Sequence, residues 1–411
     1  MRQMVYYELK KIFVKKSSQI AMLMLLILLG VVCWIVIHNV EYVNERGEIE
    51  TGIAAAQKLR EAEKEWAGIL DEEKIRDVIE ENLRISATPE AQSEDAVQSN
   101  IAYSWRQGFS DIRRLLVYAF NDFNVYNYYV PDHLTPEDAK YFYSNRELHL
   151  REWLEGPAAD QYTEEEKAFL IQRYETLQTP LQYDYIEGWK QLSASTTMLV
   201  MIMVLILGFL TASIFSGEFQ LKADAVFFAS RYGREKAVTA KIKAGFLLVT
   251  GIYWLMMLLH AAVVLGVLGA DGAGCMIQTN GSKWMSFYHI TFLQEYLLIA
   301  VGGYLGALSI LFLTMLVSAW SKSSVLAVIV PFILIFIPEF VRNSKNILID
   351  RILGFFPDML LQINSAIKTI NLFQIGGKVF GSIEVLFVIN MILVLALLPA
   401  IFMIYRRAEV K

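Results

Sequence analysis

The chain has 411 residues, 55% hydrophobic and 19% charged, with a formal net charge of −5. That balance is too apolar for a water-soluble globular protein and fits a multi-span membrane protein. Its two cysteines, Cys33 and Cys275, exclude a disulfide framework and leave no Cys-based zinc site. The charge is divided unevenly. Residues 40–191 hold 16 Lys/Arg against 31 Asp/Glu, a balance of −15, while the remainder holds 21 against 11, a balance of +10. An acidic block and basic short loops point to opposite sides of a membrane.

Residues 1–18 open the chain. Val5, Leu9, Ile12 and Phe13 are spaced for one helical face, with Lys10, Lys11, Lys15 and Lys16 around them. This predicts an amphipathic helix on an anionic cytoplasmic leaflet, or a plain positive flank of the first span. The apolar run Ile20–Ile37 gives that span, within 19–39. No small-residue cleavage pattern follows it, and Asn39-Val40-Glu41-Tyr42 reads on into a helix, so the run is taken as a signal anchor.

Residues 40–192 are expected outside, as a helical domain long enough to own a core. Asp71 caps a helix carrying Ile75, Val78, Ile79 and Leu83. Ser86–Ser99 reads as a loop, and Tyr103–Phe123 as a helix with Phe109, Ile112, Leu116, Ala119 and Phe120 on one side. Thr135-Pro136-Glu137-Asp138 starts a helix that stops at Gly156-Pro157, and Thr163 with Glu166 starts another. Tyr118, Tyr126, Tyr128, Tyr129, Tyr141 and Tyr143 interleave with Phe120, Phe123 and Phe142. They fit either an aromatic core or an exposed ligand- or lipid-facing surface.

Residues 193–411 hold five more spans. The runs Met198–Phe215 and Phe246–Ala270 are the second and third, and Leu297–Ala319 is the fourth, where Gly302, Gly303 and Gly306 permit close helix packing. Val325–Ile337 is the fifth, with Pro331 and Pro338, and Val385–Ile404 the sixth. The segment 340–382 is apolar but broken by Asp350-Arg351, Gly354 and Pro357, so it is expected to be a re-entrant or interfacial helix pair. With both termini inside, the short inside segments carry 15 Lys/Arg and the short outside loops 6, as the positive-inside rule requires.

Several chemistries have no motif here. Neither a Walker phosphate loop nor H-E-x-x-H nor G-x-S-x-G occurs, and the five histidines show no metal spacing. Glu295, Glu339 and Glu384 fall at span ends, so the spans themselves show no ionisable group to mark an ion pathway. A transporter without an ion-coupling residue or an ATPase motif must draw its energy from a partner. The loop 216–243 offers the place to dock one. It carries Lys222, Arg231, Arg234, Lys236, Lys241 and Lys243 against Glu218, Asp224 and Glu235, around an apolar patch at Ala225–Ala229. The patch reads as a short amphipathic helix offered to a cytoplasmic partner, or as a mere surface connector.

The order Gly217-Glu218, apolar Ala225–Ala229, Ser230-Arg231 with Gly233-Arg234, then Lys241 resembles the cytoplasmic loop between the second and third spans of ABC-2 type transporter permeases. Trp66–Lys74 and Thr179–Trp189 resemble the members from Gram-positive bacteria that carry a large outer helical domain. The likeness runs along nearly the whole chain but rests on no single diagnostic residue. It implies an all-α membrane protein of six transmembrane helices in the plasma membrane, with both termini cytoplasmic and a helical extracellular domain between the first two spans. It also implies a separate ABC ATPase (nucleotide-binding) subunit holding ATP and magnesium, a second permease subunit as homo- or heterodimer, no enzyme activity or cofactor on this chain, and no nucleic acid. The expected activity is export of an antimicrobial peptide, drug or lipid-like molecule. The alternative is a non-transporting, ABC-driven mechanical or sensing subunit acting through its outer domain.

The coupling residues implied by the likeness are Glu218, Asp224, Val226, Phe227, Phe228, Ser230, Arg231, Arg234 and Lys241. Phe227 and Phe228 are expected to fill an apolar groove on the ATPase, with Arg231 and Arg234 at its rim. Glu218 is expected to pair with Arg234 or Lys241 in a partly solvated contact worth about 1 kcal/mol or less.

Overall fold

A computed structural model describes residues 1–230, 232–341 and 353–407. Arg231 and part of the broken segment 340–382, including Asp350 and Arg351, lie outside the described residues. The described residues are mostly helical with little strand, and among them six helices are long and apolar enough to cross a membrane. These are α2 (Lys16–His38), α9 (Glu187–Gln220), α11 (Lys236–Leu268), α12 (Phe292–Ser321), α13 (Ser324–Val341) and α16 (Ser382–Arg406). All six apolar runs expected from the sequence are there; five extend at both ends, and the third starts earlier than expected but stops at Leu268, before Gly269. Helix α9 is the longest, at 34 residues. It spans roughly 50 Å at 1.5 Å per residue, well beyond the ~30 Å hydrocarbon thickness of a bilayer, so it protrudes. A short helix, α1 (Arg2–Phe13), precedes the first span and buries only Ile12.

Helix α12 is the centre of the bundle and packs on α9, α13 and α16. Its glycines matter where neighbours come close. A methyl group on Gly306 would meet the Pro357 carbonyl oxygen at 2.8 Å, and one on Gly302 would overlap Ile363 Cδ1 at 1.9 Å. These gaps seat two one-turn helices, α14 (Asp358–Leu361) and α15 (Ile363–Ala366), against the bundle. A hairpin of β3 (Leu372–Ile375) and β4 (Lys378–Gly381) follows, turning at Gly376-Gly377. Among the described residues of the segment 340–382, helix is present as these single turns, and the hairpin turns where two adjacent glycines with positive φ favour a tight reversal.

Between α2 and α9 the chain forms α3 (Ile53–Lys64), α4 (Glu72–Ser86), α5 (Ala96–Arg106), α6 (Ser110–Ala119), α7 (Ser144–Glu155) and α8 (Glu164–Glu175). This inserted domain has a core of its own around Ile75, Val78, Ile79, Phe109, Ile112, Leu116 and Phe142. The expected caps are in place. Asp71 Oδ1 accepts the Lys74 amide at 2.9 Å, and Thr163 exchanges hydrogen bonds with Glu166. Thr135 pairs with Asp138 as well, but the turn it starts is 3-10 over Pro136–Tyr141, and the α-helix begins only at Ser144.

Three local expectations fail. The span does not run on past Asn39: Glu41–Val43 (β1) pairs with Ile49–Thr51 (β2). The turn is set by Asn44, whose side-chain oxygen accepts the Arg46 and Glu48 amides, and Gln107 holds Val43 by both its N–H and its C=O. Residues 103–123 are two helices rather than one, broken by a 3-10 turn at Gln107–Phe109 where Gly108 lies against the Ala62 carbonyl. The expected loop 86–99 ends early, because Asp95 accepts the Val97 and Gln98 amides and starts α5. In the aromatic run the phenylalanines Phe123 and Phe142 are buried, while Tyr126, Tyr128, Tyr129 and Tyr141 are exposed.

Candidate functional site

Helix α10 (Asp224–Ala229) lies between α9 and α11, at the opposite end of α9 from the inserted domain. Six residues are too few to hold a helix unaided. Tertiary contacts hold this one. Phe228 is buried and packs on Phe219 of α9 and Tyr405 of α16, at ring distances of 5.8 and 5.3 Å. Phe227 is half-buried, 6.2 Å from Tyr405, and Tyr405 also meets Phe215 at 4.9 Å. Phe228 therefore fills a pocket within this chain, and Phe227 packs partly against the same rings. Burial of one such ring contributes roughly 1.5–3 kcal/mol, so they fasten α10 to the spans. The exposed apolar side chains on this turn are Val226 and Leu221, 78% and 80% accessible.

Beneath α10, charges from three helices meet, joined by a hydroxyl from a fourth. Lys241 Nζ donates to Glu218 Oε1 at 2.8 Å, to Glu8 Oε2 at 3.1 Å and to the Ile214 carbonyl at 2.8 Å. Lys11 bridges Glu8 and Glu218 at 3.0 and 3.2 Å, and the Tyr405 hydroxyl donates to Glu218 Oε2 at 3.3 Å. Burial works against the Lys11 ammonium, yet Glu8 and Glu218 hold its pKa above the ordinary lysine value. Lys241 is 1% exposed. The expected pairing of Glu218 with Lys241 is present, but the pair is buried rather than partly solvated, because α1 lies across it. Helix α1 is thus tied into the bundle by ion pairs as well as by Ile12.

The other expected residues sit around this cluster. Arg234 stacks over Phe228 at 5.0 Å and donates to the Arg406 carbonyl, and Arg406 pairs with Glu235 at 2.9 Å. Ser230 is exposed and its hydroxyl caps the Phe227 carbonyl at 2.7 Å. Asp224 opens α10. The whole turn is therefore joined to α9, α11 and α16 together.

Sequence reasoning missed the other buried charges. Glu295, placed at a span end, is fully buried and pairs with Lys283 from the loop before α12. His260, inside α11, is fully buried and meets Ser195 at 3.1 Å. The spans are accordingly less free of ionisable groups than the apolar runs suggest. The signal for His260 was its place within an apolar run; Lys283 gave none, since only the fold brings it to Glu295. Comparisons with family models, with characterised proteins and with solved structures gave no match.

Proposed function

We propose that this chain is the membrane subunit of an ATP-driven ABC-2 type exporter, working with a separate ATPase subunit and a second permease copy. The observation that carries the reading is the junction around α10: a short helix fastened to three spans, with Val226 and Leu221 exposed above it. A partner that gripped those side chains would move α9, α11 and α16 together. Substrate would be a peptide, drug or lipid-like molecule, as the resemblance implies. The mechanical alternative draws support from the core, which runs unbroken from the spans into Phe123, Leu150, Leu154 and Leu170 of the inserted domain. Such continuity suits force transmission to that domain with or without a transported molecule.

Purification of the full chain from its native membranes should bring an ATP-hydrolysing subunit with it. Leu221→Asp combined with Val226→Asp should cut its recovery by at least about tenfold, a modest ~1.4 kcal/mol of lost affinity. Phe228→Asp should reduce recovery too, but by releasing α10 from Tyr405. If no ATPase accompanies the wild-type chain, the exporter reading and the mechanical one fall together. Stimulation of hydrolysis by candidate substrates in vesicles separates the two.

The same reading puts the inserted domain outside and α10 in the cytoplasm. Glu94→Cys and Ser230→Cys, each in a background lacking Cys33 and Cys275, should label from opposite faces of the membrane. Labelling of both from one face would overturn the topology.

A further inference from the structure

The base of the inserted domain meets the start of α9 in a seam rich in charge. Helix α3 supplies Arg60, Glu63 and Lys64 to it. Arg60 and Lys64 pair with Asp271, just past α11, at 2.6 and 2.8 Å. Glu63 differs: it is 2% exposed, and its Oε2 is buried with no hydrogen-bond partner among the described residues. Facing it are Asp111 and Arg114 of α6, Glu187 and Lys190 of α9, and the phenols of Tyr183 and Tyr185. Both phenol oxygens are buried and likewise have no hydrogen-bond partner among the described residues.

The cations of this seam are already committed. Lys190 Nζ lies 2.9 Å from Asp111 Oδ2 and 2.6 Å from Glu187 Oε2. Arg114 is 3.7 Å from Asp111 Oδ1, with nearly half of its side chain in solvent. Three carboxyl groups thus share one buried ammonium and one half-solvated guanidinium. An ionised Glu63 would be a buried anion with an oxygen that nothing solvates, which is costly. Burial first, then repulsion from Asp111, then Glu187 against the attraction of Lys190, holds its carboxyl well above the usual carboxylate range.

We propose that Glu63 is a proton-operated latch: its neutral carboxyl lets α3 seat against α6 and the base of α9, and release of the proton to water unseats the inserted domain. The latch goes beyond the exporter reading and does not depend on it. Its position gives it reach, because α9 runs unbroken from Glu187 at this seam to Glu218 in the charge cluster at its far end. The direction with pH follows from the neutral form being the seated one. The folded carboxyl holds its proton more tightly than the unfolded one does. The stabilising contribution is therefore complete below the ordinary glutamate pKa and is lost as pH rises through the folded value.

The test uses the full chain in lipid nanodiscs. Amide exchange in residues 53–64 and 110–119, corrected for intrinsic rate, should report seam opening that grows by up to about tenfold per pH unit between the ordinary glutamate pKa and the folded value, one proton being released, and that levels off above it. Glu63→Gln, which mimics the neutral acid, should flatten that dependence. Infrared difference spectra should show a protonated-carboxyl band at neutral pH in the wild type that Glu63→Gln removes. Asp111→Asn, which takes away the strongest repulsion, should move the loss of that band to lower pH and shrink the pH-driven opening, because the ionised carboxylate is then better tolerated in the seated state. That second variant decides the matter if Glu63→Gln does not fold. A wild-type chain with no protonated-carboxyl band at neutral pH, or with opening independent of pH, overturns the latch; so does an identical pH profile in Glu63→Gln.

Discussion

Lys241→Met is expected to cost the folded bundle about 3–5 kcal/mol, the usual effect of removing one partner from a buried ion pair. The residue is 1% exposed and satisfies Glu218, Glu8 and the Ile214 carbonyl at once. Without it, Glu218 is left with Lys11 and the Tyr405 hydroxyl as its side-chain partners among the described residues, and Glu8 with Lys11. Combining Lys241→Met with Glu218→Gln should recover much of the loss, since a buried pair replaced on both sides is often near neutral in stability. Equilibrium unfolding of the two single variants and the double variant in mixed detergent measures this as a coupling energy. Simple additivity of the two single losses would show that the pair is solvated in the membrane and that α1 does not seal it. Because α1 supplies Glu8 and Lys11, removal of residues 1–13 should weaken the same coupling.

How legible was this junction beforehand? The six spans were, because runs of about twenty apolar residues admit little else. The pairing of Glu218 with Lys241 was legible as well, since each stands where a span meets the loop. The orientation of Phe227 and Phe228 was not. A six-residue helix has a face only by virtue of what it packs on, and its receptor, Tyr405, lies far along the chain on the last span. Burial of the ion pair was hidden for a similar reason, because it needs α1 to fold back over α11. In the inserted domain, caps at Asp71 and Thr163 could be read from a few residues and proved correct. The strands Glu41–Val43 and Ile49–Thr51 could not, being three residues each and held by Gln107, over sixty positions away. Glu63 carries no sequence mark either. It stands in a charged, Ala-rich helix like any solvated acid, and only the approach of α6 and α9 removes it from water.

The second large effect is expected at Arg146, where the inserted domain is fastened to the loop between α11 and α12. Arg146 is 5% exposed on α7, and no carboxylate pairs with it among the described residues. Its guanidinium donates to the Trp284 carbonyl at 3.0 Å and the Ser286 carbonyl at 2.9 Å, and stacks 3.8 Å over the Tyr174 ring. Tyr174 in turn donates to the Met285 carbonyl, so three successive carbonyls of the loop are held by α7 and α8. The same loop reaches the bundle through the Ser286 hydroxyl, which donates to the Ile367 carbonyl at 2.8 Å. Charged hydrogen bonds contribute about 1.5–3 kcal/mol each, so Arg146→Ala should cost about 3–5 kcal/mol once the orphaned Trp284 carbonyl is included. Ser286 loses less, since Gln278 still donates to its carbonyl. Arg146→Lys keeps the charge, but a single ammonium on a flexible stem does not reproduce a planar fork that spans two carbonyls and stacks on an aromatic face. It should recover less than half of the loss. Amide exchange over residues 277–290 reads the fastening directly, and full wild-type protection in Arg146→Lys would show that charge alone, rather than the fork, holds this joint.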